Sequence, residues 1–159
     1  MGLIRRIVHL GNLAQPQPPL DAAREIRSDL ASGSLVLRHV DAGSCNGCEI
    51  ELSACFSPIY DLESYGVSLS ASPRHADGLV VTGVVTRNMQ KPLMDAYDAT
   101  PEPKAVVALG DCAINCNGLR EGYGVTGAVS DFLVVDLEIP GCPPEPAEIV
   151  AALRRVSKQ

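Results

Sequence analysis

Six of the 159 residues are cysteines, and their spacing is uneven. Cys45 and Cys48 lie in Gly43-Ser44-Cys45-Asn46-Gly47-Cys48-Glu49, so one tight turn carries two thiols able to reach a single metal or cluster. Cys112 lies in GDCAINCNG and Cys142 in PGCPP, each near a glycine whose missing side chain lets backbone N–H groups approach sulfur. Four thiolates of this kind can balance the charge of an iron–sulfur cubane, and amide donors to sulfur then tune its potential. A lone Cys-x-x-Cys would fit zinc, thiol exchange or no chemistry at all. Structural zinc usually takes two paired knuckles, whereas this chain brings one pair and two single thiols. Cys116 competes with Cys112, although Cys112 directly follows a strand-like run. Cys55, within ELSACFSPIY, reads as a small buried apolar residue.

The elements that must position these thiols follow from apolar patterning. Strand-like runs occupy Leu35–Val40, Gly78–Thr82, Lys104–Leu109 and Phe132–Leu137, with Val67–Ser70 a candidate fifth; helix-compatible stretches occupy Glu49–Tyr60, Lys91–Ala99 and Glu145–Ser157. Strands nearly continuous in Val, Leu and Ala, alternating with helices, predict an α/β fold: a flavodoxin-like, doubly wound parallel sheet covered on both faces. Ligands of such sheets gather at the carboxyl ends of the strands. Cys45 and Cys48 follow LVLRHV, Cys112 follows AVVALGD and Cys142 follows FLVVDLEIPG, so three strand ends should converge on one site. Residues 1–34 read as an N-terminal arm. Its Gln15-Pro16-Gln17-Pro18-Pro19 piece should run extended, followed by a short helix, DAAREIRSDL, capped by Asp21. Residues 35–159 are expected to form a single cluster-binding domain.

A formal charge of −6 argues against nucleic acid, because the basic residues pair up only at Arg5-Arg6 and Arg154-Arg155. The start, MGLIRRIVHLGNL, does not read as a signal peptide, and Arg6 breaks the myristoylation pattern. The longest apolar run, Gly78–Val85, falls far short of the roughly 20 residues that cross a bilayer. Cysteines in such a chain are better read as metal ligands or reduced core residues than as disulfides.

GSCNGCEIEL, SPRHADGLVVTGVVT, PEPKAVVALGDCA and VVDLEIPGCPPEP closely resemble the small subunit of energy-converting, complex I-like [NiFe] hydrogenases. They also resemble its relative, the cluster-bearing 20 kDa-type subunit of respiratory complex I. The resemblance runs in order from about Leu35 to the last helix. It implies one [4Fe-4S] cluster on Cys45, Cys48, Cys112 and Cys142, an electron-transfer role within an oxidoreductase, and a NiFe centre held only by a partner. The implied partners are the hydrogenase large subunit, a ferredoxin-like iron–sulfur subunit and membrane subunits, with the chain peripheral on the cytoplasmic side of the cell membrane. The complex I subunit carries adjacent cysteines where this chain has Cys45-x-x-Cys48, and the spaced form is the hydrogenase pattern. The alternative is a complex I-type quinone or sulfur oxidoreductase.

The remaining features divide between function and scaffold. Glu49, beside the cysteine turn, either favours the first turn of a helix or relays protons toward a catalytic centre against which the resemblance places this loop. Glu51 takes the first of these readings. Arg74 and His75, in SPRHAD, are either ordinary loop residues or positive charge near the cluster that would raise its potential. His39 could neighbour the cluster, but four thiolates already complete the coordination. Gly122–Gly127 formally matches a dinucleotide fingerprint, yet it does not directly follow a strand and reads as a loop over the cluster. The terminal helix shows an apolar stripe for covering the sheet, with Arg154 and Arg155 near its carboxyl end.

Overall fold

Residues 33–157 are described by the computed structural model. The main strands are β1 (Leu35–Asp41), β2 (Val67–Leu69), β3 (Gly78–Thr82), β5 (Ala105–Leu109) and β7 (Leu137–Ile139), which make one parallel sheet in the order β2-β1-β3-β5-β7. The register sets Leu37 against Gly78, Gly78 against Ala105 and Val107 against Leu137. Two further short strands, β4 (Val85–Thr86) and β6 (Val125–Gly127), pair antiparallel beside this sheet.

Alternation along each strand sends side chains to two separate cores. Leu35, Leu37, Val80, Val107, Leu109 and Ile139 face helices α1 (Gly47–Cys55) and α4 (Pro146–Ser157). Leu79, Val81, Val106 and Ala108 face the other way, onto Leu93 of α2 (Gln90–Ala99) and Ala113 of α3 (Asp111–Asn115). Both faces are covered, which is why β3 and β5 are buried along their whole length. The fold is therefore the expected α/β, doubly wound parallel sheet.

Three departures from the sequence expectation go beyond a residue or two at an element's end. The last strand begins at Leu137 rather than Phe132, because Val129–Asp131 forms a 3₁₀ turn and Asp136 pins the strand entrance. The Asp136 carboxylate accepts the Val106 N–H at 2.9 Å, and the Asp136 N–H donates to Val106 O at 2.9 Å. Helix α1 stops at Cys55, ahead of Ser57-Pro58, since a residue before proline disfavours helical backbone. The Gly122–Gly127 stretch is not wholly a loop: its second half is β6. The expected extended arm and the helix from Asp21 lie outside the described residues.

Candidate functional site

Where β1 ends, Asp41 turns the chain: its Oδ1 accepts the N–H groups of Gly43 and Ser44, both at 2.8 Å. Gly43 has φ 136°, and a Cβ there would overlap the Thr86 side chain, so only glycine lets β4 close against this turn. Thr86 ties it down through hydrogen bonds from its N–H and its hydroxyl to Ala42 O, both at 2.9 Å. Cys45 emerges exposed, Asn46 takes a left-handed conformation, and α1 starts with the buried Cys48 in its first turn.

The ends of β5 and β7 are laced together. Gly110 N donates to Ile139 O at 2.8 Å and Asp111 N to Gly141 O at 2.9 Å, while Asp111 Oδ1 accepts Gly141 N at 2.8 Å. This exchange sets Cys112, on α3, beside the loop that carries Cys142. The cysteine turn reaches the same place: a Cβ at Gly47 would lie 3.5 Å from Cys45 Sγ and 3.9 Å from Pro143, the residue after Cys142.

Cys48 and Cys112 both register other thiols of the set. Burial, then Glu49, Cys112, Cys45 and Cys142, push the Cys48 thiol up to about 11. Cys112 is likewise raised, first by burial and then by Cys142, with smaller upward pushes from Cys45 and Asp111, while a hydrogen bond from Asn117 opposes them. A set of four sulfurs without imidazole or carboxylate suits iron–sulfur ligation. Among the described residues no three His, Cys, Asp or Glu side chains close on a single metal ion. Cys116 is fully buried against Val84 and Ala128. Cys55, also fully buried, donates its thiol to Glu51 O at 3.2 Å and Pro146 O at 3.5 Å, between α1 and α4.

A polar chain lies beside Cys48. The Thr82 hydroxyl donates to Glu49 Oε1 in a short bond, and its oxygen sits 2.9 Å from His39 Nε2. Since Thr82 gives its only proton to the carboxylate, His39 is the donor to Thr82. Burial lowers the pKa of His39, against opposing pulls from Glu49 and Asp41, so the imidazole is neutral near pH 7. Glu49 Oε2 is buried with no hydrogen-bond partner. The sequence reading missed Thr82, whose signal was one hydroxyl closing the buried run GLVVT at a carboxyl strand end.

Arg74 and His75 are placed far from this site. They form the 3₁₀ turn Pro73–His75 ahead of β3 and line a pocket of about 310 Å³ with Asp77, Pro101, Glu102 and Pro103, at the amino edge of the sheet. The five residues of β3, about 16 Å of strand, separate them from the cysteine edge. Of the two readings of Arg74 and His75, this placement favours ordinary loop residues over positive charge near the cluster.

The family model for the 20 kDa subunit of NADH–ubiquinone oxidoreductase matches residues 45–156. The chain belongs to this family. Members that it resembles include formate hydrogenlyase subunit 7 of Escherichia coli, 44% identical over 72% of this chain and 45% of that one. A probable membrane-bound hydrogenase subunit of Pyrococcus furiosus is 43% identical, covering 76% of this chain and 74% of its own length. An NADH-quinone oxidoreductase subunit of a Geobacter species is 38% identical over 69% of this chain and 64% of that one. Among solved structures, the archaeal membrane-bound sulfane sulfur reductase aligns with a TM-score of 0.67 and 30% identity over 79% of this chain and 72% of the matched chain. A [NiFeSe] hydrogenase from Dm. baculatum aligns at a TM-score of 0.59 and 20% identity, over 77% and 61%, and shares the fold. This 20 kDa-type chain is thus a relative of subunits of hydrogenase and quinone oxidoreductase complexes. Among its described residues no helix is long and apolar enough to cross a membrane.

Proposed function

We propose that this chain is the electron-transferring small subunit of a membrane-associated, complex I-like [NiFe] hydrogenase and holds one [4Fe-4S] cluster on Cys45, Cys48, Cys112 and Cys142. The observation that carries the reading is the convergence of four thiols from three strand ends on one patch, with the first two in the spaced Cys-x-x-Cys form. When bound, such a cluster supplies one-electron transfer. The chain's own part is to hold it: the Asp41 turn presents Cys45, the Asp111–Gly141 exchange fixes Cys112 beside Cys142, and Gly110 leaves room for Cys48.

The chain contributes no nickel ligands in this reading, so the NiFe centre belongs to a partner large subunit. Ile50, Leu119 and Tyr123 are exposed apolar side chains on the segments that carry or follow the cysteines, a surface suited to being covered by that subunit. A ferredoxin-like iron–sulfur subunit would exchange electrons, and membrane subunits would hold the complex at the cytoplasmic side of the membrane. Glu49, supported by Thr82 and His39, is the candidate proton relay, because its carboxylate lies beside Cys48 with one oxygen free to accept.

Purification of the chain with its neighbouring large subunit tests the reading. With the NiFe iron included, about five iron, four sulfide and one nickel per pair of subunits are expected, with an electron paramagnetic resonance signal on reduction; a colourless, zinc-containing protein would refute it. The second reading, a quinone or sulfur oxidoreductase, draws on the likeness to the sulfane sulfur reductase. Two Cys-x-x-Cys pairs in the large subunit select hydrogenase, and their absence selects the second reading.

A further inference from the structure

The loop GDCAINCNG contains more than a ligand. After α3, three consecutive residues adopt left-handed backbone: Cys116 (φ 67°), Asn117 (φ 42°) and Gly118 (φ 77°). Glycine and asparagine tolerate this region, whereas cysteine adopts it at a conformational cost. Burial of the Cys116 side chain against Val84 and Ala128 offsets that cost, and Asn115 Oδ1 accepts the Asn117 N–H at 2.8 Å. The turn is thus held from both sides, and it folds the Asn117 side chain back over the thiols. Asn117 Nδ2 donates to Cys142 Sγ at 3.3 Å, a contact between segments 25 positions apart. Asn117 itself belongs to the loop that carries Cys112, so this one bond ties the Cys112 loop to the Cys142 loop.

We propose that Asn117 is a positioning residue of the cluster site, whose amide bridges the Cys112 and Cys142 loops and donates an N–H bond to ligand sulfur. The inference rests on the cluster reading above. Reduction adds negative charge that spreads over the sulfurs, so a fixed N–H donor stabilises the reduced state more than the oxidised one. Asn117 therefore raises the reduction potential of the bound group.

The test uses the purified complex, titrated against potential and read by electron paramagnetic resonance. Asn117→Gly removes the amide while keeping a residue suited to the left-handed turn, and Asn117→Asp keeps the shape but replaces the donor with an acceptor. In Asn117→Gly the ratio of reduced to oxidised cluster at fixed potential is expected to fall by up to tenfold, equivalent to about 59 mV for one electron. Asn117→Asp shifts it further in the same direction. Loss of iron from a correctly assembled Asn117→Gly complex also supports the positioning role. An unchanged midpoint with the cluster intact in Asn117→Gly overturns the proposal. A native complex without any cluster signal removes the proposal together with the reading beneath it.

Discussion

Gly110 lies directly against Cys48: a methyl group at position 110 would overlap the Cys48 sulfur. Gly110 also has φ 89°, closes β5 and receives the chain from β7 through its bond to Ile139 O. The end of one strand is therefore shaped around a thiol that arrives from another. Gly110→Ala is expected to displace Cys48 and to add backbone strain of about 1–3 kcal/mol, because φ 89° with ψ 156° is a conformation essentially confined to glycine. The purified complex should lose the iron and the paramagnetic signal of this cluster and melt at lower temperature. Full iron content in this variant would contradict the placement of Cys48 in the site.

Cys112 and Cys116 separate by burial. Cys112→Ala is expected to abolish the cluster, whereas Cys116→Ala should retain it and cost about 1 kcal/mol from lost packing against Val84 and Ala128. Iron and sulfide assays on the two variants decide the matter; the reverse pattern would exchange their roles.

Thr82 is fully buried and supplies the hydrogen bond to Glu49. Thr82→Val preserves shape but strips Glu49 of that donor, at an expected cost of about 1–3 kcal/mol in denaturant unfolding. Glu49→Gln should slow hydrogen evolution while leaving the paramagnetic signal intact. Unchanged evolution with an intact cluster would eliminate the proton relay.

Alkaline stability follows from Cys55. Burial, with a smaller push from Glu51, raises its thiol from 9.0 to about 11 in the folded chain. Between those values the unfolded chain has lost the proton and the folded chain keeps it, so the unfolded state binds fewer protons and stability falls as pH rises. The stabilisation is complete below pH 9 and disappears through pH 11. Urea unfolding under reducing conditions should show this decline, and Cys55→Ala should lessen it, the unligated Cys48 thiol, also raised to about 11, supplying a further part.

Arg74→Gln should leave the cluster midpoint unchanged. Arg74 stands at the amino edge of the sheet, and charges separated by more than roughly 8–10 Å are largely screened at physiological salt. A clear midpoint shift in a redox titration would mean that the two edges communicate.

The four cysteines and their meeting place were legible in the sequence because each follows a strand-like run. In a parallel sheet all strands point the same way, so residues that follow strands share one edge. The buried runs Gly78–Thr82 and Ala105–Leu109 declared themselves by unbroken apolar character. Arg74 and His75 precede β3, and the same rule sends them to the opposite edge; only the assembled sheet made that separation plain. The start of β7 was misread because Phe132–Val135 is apolar enough for a strand, while the decision belonged to Asp136 and its two bonds to Val106. Pairing of β4 with β6 likewise depends on partners some 40 residues apart, which no local pattern encodes. Residue order along each strand thus determined which thiols meet. Tertiary structure decided what stands around them, His39 and Thr82 on Glu49 and Asn117 on Cys142, because those contacts join segments whose separation in the chain carries no periodic signal.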